Sequence, residues 1–314
     1  MTRSTKRAVR DGALAVFWLW FGARLLNDWF GGVFVAAGEP FFDPQPVADA
    51  STALREAVAG TGVLGEPVGW VANGLGSLSF AMTYLPDLAA GAWLTVVLTI
   101  FATIFGLVLA VPLAAARVYG RVTHWVALAF IELIRGTPLL AQLFVLYYAL
   151  PLSRWFAAVP YLGSGIVPEQ AVWVAVVGFT INSAAYQAEY IRGSIEGIDP
   201  GQLVAARSIG LSRVQGIRYV VMPQALRFAI PSWTNELVYL TKYSSLAAFI
   251  TVGELFHAAR AAAYANYRFL DLFLLAAVVY LALVLSATTV MEWVRGRVAI
   301  PGVGGSGDGR MSAD

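Results

Sequence analysis

Residues 192–226 read RGSIEGIDPGQLVAARSIGLSRVQGIRYVVMPQAL, and their setting decides the fold class. The stretch is polar and basic, yet it lies between two apolar segments, each long enough to cross a bilayer. Asp199 is placed to cap a helix. Pro200 follows at the first helical position, where its missing N–H costs nothing, and Gln202 completes a capping-box spacing. Gly210 ends that helix. Ser212 starts another, with Gln215 at its third position, and Pro223 stops it because its ring and missing N–H disfavour continuation. The expectation is helix, glycine break, helix, with Ala205 and Ala206 exposed so that a partner backbone can come close. Arg207, Arg213 and Arg218 suit acidic groups on a partner or lipid headgroups. A structured basic element kept between two membrane spans points to contact with another protein.

Composition supports the setting. Of 314 residues, 59% are hydrophobic and 13% charged, about half the charged share of a soluble domain. The class is an all-α polytopic membrane protein. The absence of cysteine excludes disulfides, thiol catalysis and Cys-ligated metals. His124 and His257 share no ligand spacing, so no metal site is expected, and nothing points to nucleic acid. The basic N-terminus runs into an apolar stretch without a clear cleavage site and reads as a retained signal-anchor.

Five segments read as spans: 92–114, 138–157, 171–188, 228–252 and 269–291. A sixth, 13–37, is weaker because it carries Arg24 and Asp28. With the N-terminus inside and six crossings, 14 of the 21 basic residues fall on the cytoplasmic side, 4 outside and 3 within or beside spans. That split favours both termini cytoplasmic. The chain divides into a basic N-terminus and first span (1–38), an extracytoplasmic acidic insert (39–90), a transmembrane domain (91–297) containing the loop 192–225, and a tail (298–314). The insert reads as loops with a short surface helix over 50–59. The Gly-rich tail reads as disordered, and its Gly302-x-Gly304-x-x-Gly307 pattern lacks the helix a dinucleotide site needs.

The loop resembles the cytoplasmic "EAA" loop of ABC-importer permease subunits. Val204-Ala205-Ala206, Gly210 and Val220-Val221-Met222-Pro223 keep its spacing throughout. The pieces GAWLTVVLTI, IELIRGTPLLAQLF, AAYQAEYIRGSI, MPQALRFAIPSWTNEL and LTKYSSLAAFITVGEL narrow the resemblance to permeases for polar amino acids, the histidine/glutamate/glutamine/arginine/opine group. Val204 departs from the glutamate that opens the family motif. Lys242-Tyr243-Ser244-Ser245 departs from its usual Lys-Asp/Asn-Thr run.

The resemblance implies a five-helix core plus an extra N-terminal span, with coupling helices between core spans three and four. It implies that Gln202, Val204, Ala205, Ala206, Arg207, Gly210 and Pro223 build the contact with a separate dimeric ATPase that holds ATP and Mg. This chain binds neither: its two lysines, Lys6 and Lys242, close no phosphate loop. A second permease subunit, identical or homologous, and an extracytoplasmic amino acid-binding protein complete the implied assembly, in the inner membrane of a prokaryote.

Ionisable residues inside a bilayer are functional candidates by default. Asn235, Tyr239 and Lys242 share one face of the fourth core span, and Glu236, Leu240 and Tyr243 line the adjoining stripe, running on to Ser244. A zwitterion needs both donor and acceptor, so the substrate path is sought there. The competing reading pairs Glu236 with Lys242 as a bundle staple. Glu132 with Arg135 and Glu189 with Arg192 suit local ion pairs, and His257 reads as a surface residue. An ion-coupled secondary transporter, a docking scaffold and a membrane hydrolase are the alternatives. The missing repeat, the polar face and the lack of a nucleophile set weigh against them in turn.

Overall fold

A computed structural model describes residues 3–59, 65–150, 152–164 and 166–298. The tail, with its glycine pattern, lies outside them. Twelve α-helices are described: α1 (Arg3–Trp29), α2 (Gln45–Val58), α3 (Glu66–Tyr119), α4 (Val122–Arg135), α5 (Leu139–Phe144), α6 (Leu152–Ala157), α7 (Gln170–Glu196), α8 (Gly201–Ser208), α9 (Arg213–Gly216), α10 (Met222–Tyr243), α11 (Leu255–Asn266) and α12 (Phe269–Val298).

Among the described residues, α3, α7 and α12 are each long and apolar enough to cross a membrane. Two bent pairs, α4 with the stretch from Leu139, and the run from Arg213 with α11, bring the count to five if each is one span. α7 packs along the inner half of α3, burying Val97, Leu98, Ala102, Val176 and Phe179 in one core. A second core joins α1, α3, α11 and α12 through Phe21, Leu88, Leu255 and Val279. A third, nearer the loop, gathers Ala110, Ile131, Ile191, Ile195, Val221 and Ala225.

Three expectations about elements change. The insert is not mainly loop: α3 begins at Glu66 and runs 54 residues without a break. At 1.5 Å per residue it is about 80 Å long, more than twice the roughly 30 Å hydrocarbon core. α2 folds back along its outer half, where Ser51 Oγ donates to the Ala72 carbonyl at 2.7 Å and Ser79 Oγ to the Pro44 carbonyl at 2.9 Å. Those bonds hold a helical hairpin in which Gly76 leaves room for Ser51.

The span expected at 138–157 is not one helix: it is helical over Leu139–Ala149 and again over α6, and α4, just before it, meets the first piece at 101° across residues 136–138. Pro138 is extended, with φ −62° and ψ 134°, and a proline disfavours α geometry in the residue before it. Side chains satisfy the carbonyls freed at the break: Thr137 Oγ1 donates to Leu133 O at 2.9 Å, and Gln142 Nε2 to Ile134 O at 2.7 Å.

The segment 13–37 is helical to Trp29 and then turns. Asn27 Oδ1 accepts the backbone N–H groups of Phe34 and Val35 at 2.8 and 3.1 Å. Gly31 and Gly32, at φ +75° and +89°, make the reversal. Arg24, buried, bonds Asp28 at 2.8 Å and also reaches the Glu39 carbonyl. The charges that weakened the span pair with each other and tie down the loop that follows.

Candidate functional site

The loop 192–225 forms as helix, glycine break, helix. Gly210 takes φ +89°, and Leu211 N donates to Ala206 O at 3.2 Å while Gly210 N donates to Arg207 O at 3.0 Å. This is the left-handed termination glycine permits. The capping box at Ser212 is complete: Gln215 N donates to Ser212 Oγ at 3.3 Å and Ser212 N to Gln215 Oε1 at 2.8 Å. The one expected at Asp199 is not formed. Asp199 Oδ1 instead accepts Gly201 N at 2.8 Å, a tighter turn that leaves Gln202 exposed.

Two further expectations fail here. Ala206 is buried, not exposed. It faces Gly216, where an added Cβ would sit 3.4 Å from that of Ala206. The outward face of α8 is Val204, Ala205, Arg207 and, past its end, Ile209 at 78% exposure. Nor does Pro223 stop the second helix. A π-helical turn, Ile217–Val221, absorbs it, with Met222 N donating to Ile217 O. The wider turn relieves the clash and lost hydrogen bond a proline imposes on an α-helix. α9, the π turn and α10 form one continuous rod from Arg213 to Tyr243.

That rod ends in the polar stripe. Glu236 is buried, and it does not pair with Lys242. Ser183 Oγ donates to Glu236 Oε1 at 2.8 Å and Tyr190 OH to Oε2 at 3.3 Å. Gln187 Nε2 donates in turn to Ser183 Oγ at 2.8 Å and to Thr103 O at 3.1 Å. Asn235, Tyr239 and Lys242 lie together on the exposed face. Tyr239 packs against Tyr243 with ring centroids 3.9 Å apart. Ser244 is buried, donating to Thr241 O at 2.8 Å.

The second half of this site comes from α7, of which the sequence marked the run AAYQAEYIRGSI and the Glu189–Arg192 pair but not a polar face toward Glu236. Ser183 and Tyr190 face α10 and Gln187 faces α3, while Asn182, Tyr186 and Glu189 face α4 and α5. Asn182 Nδ2 donates to Gln142 Oε1 at 3.2 Å. Polar residues three and four apart inside an apolar span were the available signal. Near the loop, Glu189 collects Arg192 at 3.0 Å, Arg135 at 3.8 Å and Arg117 at 3.9 Å. The Glu189–Arg192 pair is as expected, whereas Arg135 pairs with Glu189 and not Glu132. His257 is half-buried, not a surface residue.

Residues 102–300 match the family of binding-protein-dependent transport system inner membrane components. The chain belongs to that family. This permease is 39% identical over 169 residues to the probable amino-acid ABC transporter permease protein PatM of Vibrio harveyi, covering 54% of the chain and 72% of the relative. It is 35% identical over 217 residues to the glutamine transport system permease GlnP of Escherichia coli K12, covering 69% and 94%. The solved structure of an amino acid ABC transporter with histidines aligns at a TM-score of 0.57 and 31% identity, over 68% of the permease and 95% of that chain. The MetNI methionine ABC transporter aligns at 0.58 with 20% identity, a likeness of fold. The permease is therefore a multi-pass membrane component of an ABC importer, a transport subunit and not an enzyme. Its family works with an ATPase and a substrate-binding protein. α1 and α2 precede the matched residues.

Proposed function

We propose that this permease moves polar amino acids inward across a prokaryotic inner membrane, with both termini cytoplasmic. ATP and Mg are held by a separate ATPase dimer seated on the outward face of α8. A second permease chain, identical or homologous, faces Asn235, Tyr239 and Lys242, and an extracytoplasmic protein delivers the amino acid. The observation that carries this reading is the continuous rod from Arg213 to Tyr243. One end is the capped loop and the other is the polar stripe, so a push on the loop reaches the stripe without crossing a flexible joint. Displacement of such an element is the kind of rigid-body step that switches access.

The test is uptake of labelled amino acids by proteoliposomes containing the whole transporter with ATP inside. Ala205→Trp places a bulky ring on the outward face of α8. It should abolish co-purification of the ATPase and uptake together while leaving the permease folded. Uptake driven by an ion gradient without ATP would overturn the reading.

A further inference from the structure

α1 leans against α3 and α12 without sealing the space between them. The cleft it leaves, about 190 Å³, is lined by Trp18, Thr99, Ile100, Leu237, Ser286 and Ala287, among others. Trp18 and Ile100 are partly open to the surroundings, at 38% and 46% exposure. The polar groups in the wall have partners within the protein. Trp18 Nε1 donates to Ser286 Oγ at 2.8 Å, and Ser286 Oγ donates to Ala282 O at 2.7 Å. Thr99 Oγ1 donates to Thr95 O and Thr241 Oγ1 to Leu237 O, both at 2.8 Å. Thr95 Oγ1 accepts Leu255 N at 3.3 Å. The Trp18 N–H and the hydroxyl protons of Thr99, Thr241 and Ser286 are thus taken within the protein, and the surface left to an occupant is almost wholly apolar, which favours an apolar one.

The ends of the same two helices carry the complementary signal. Arg10 Nη1 lies 3.5 Å from Glu292, which with the Trp18–Ser286 bond sets α1 antiparallel to α12. Lys6 and Arg7 therefore lie at the level of Arg295 and Arg297. Together with Arg10, five cations meet two carboxylates, Asp11 and Glu292. Among the described residues Lys6, Arg7 and Arg295 make no ion pair. Arg7 and Trp18 are separated by roughly 16 Å of helix at 1.5 Å per residue, close to the depth of one leaflet's hydrocarbon.

We propose that the cleft between α1, α3, α10 and α12 holds one acyl chain of an anionic phospholipid whose phosphate is bound by the basic ends of α1 and α12. The inference requires only that the chain sits in a bilayer, so it stands or falls separately from the transport reading. Basic residues at a headgroup surface favour anionic lipid, and the acyl chain replaces the protein contacts that α1 leaves unmade.

The test is native mass spectrometry of the intact transporter in mild detergent, titrated with phosphatidylglycerol and phosphatidylcholine of identical chains. The expected result is a single retained phosphatidylglycerol, bound at least tenfold tighter than phosphatidylcholine. Arg7→Gln with Arg295→Gln should cut that preference to under threefold. Ala287→Phe should fill the cleft and remove the retained lipid while every basic residue stays in place; the smaller Ala287→Leu serves if the first variant does not fold. Equal binding of the two lipids, or unchanged binding in the filled-cleft variants, would overturn the proposal. So would a cross-link from Ile100→Cys to a second protein chain, since a protein would then cover the cleft.

Discussion

At the residue scale, the site depends on how Glu236 is held. Its two oxygens take hydroxyl donors from Ser183 and Tyr190, so the side chain is fixed against α7, away from the exposed face of α10. Removing one partner of a buried polar group costs about 1–3 kcal/mol. Ser183→Ala should lower the melting temperature of the purified permease, and Tyr190→Phe by less because its bond is longer. Gly106 lies beneath this group: a Cβ there would come within 2.8 Å of Gln187 Nε2. Gly106→Val should therefore impair uptake with the loop intact, readable as lost transport with ATPase binding retained.

Residue burial also separates two neighbouring loop substitutions. Ala206 packs inward on Gly216, so Ala206→Trp should break the loop itself, seen as new protease cleavage between α8 and α9. Ala205→Trp, on the opposite face, should leave the cleavage pattern unchanged. Gly210→Ala places a side chain at φ +89° and should cost roughly 1–2 kcal/mol, which a thermal melt of the loop region would register.

At the scale of elements, the two broken spans owe their bends to different chemistry. The 101° break follows from Pro138 and is finished by Thr137 and Gln142. The 55° break between the 3₁₀ turn Ser244–Ile250 and α11 passes through Thr251 at φ +69°. Glu254 then restarts the helix by accepting Phe256 N and His257 N at 2.9 and 2.8 Å. Tyr280 of α12 donates to the same carboxylate at 2.8 Å. Glu254→Ala removes the cap and should cost about 0.5–2 kcal/mol. Hydrogen exchange localised to the first turn of α11 would report it, and unchanged exchange there would contradict the capping role.

These elements also show which features were legible beforehand. The apolar runs of α3, α7 and α12 were visible because such runs have few alternatives in a bilayer, whereas the breaks in the two bent pairs were not. The Ser212 cap and the Gly210 break were visible because their chemistry is local. The outer half of α3 was not, since its glycines and prolines normally mark loops; α2 supplies the packing that keeps it helical. Pro223 departs from its expected role for a related reason. A proline ends an α-helix only if the backbone cannot widen, and the π turn at Ile217–Val221 lets it widen. The polar half of the site on α7 needed the packing of α7 on α10, which no single segment reveals.

At the scale of the whole molecule, α1 and α2 decorate a core that relatives share. The knot at the end of α1 joins Arg24 and Asp28 with the Asn27 clasp on Phe34 and Val35. Arg24→Leu should free residues 30–41, seen as rapid proteolysis there, while the core melts within a few degrees of the parent. If the core melted with it, α1 would be an integral part of the bundle.

The length of α3 has a mechanical meaning. Gly91 lies so close to the backbone of Glu254 and Leu255 that an added Cβ would approach to 2.9 Å, which makes it a natural pivot. From there to Glu66 the rod extends roughly 37 Å at 1.5 Å per residue. A tilt of about 5° at the pivot then swings the tip by about 3 Å. The hairpin of α2 and α3 is in effect the pointer of a balance, magnifying small rotations of the bundle where a probe attached to its tip can see them.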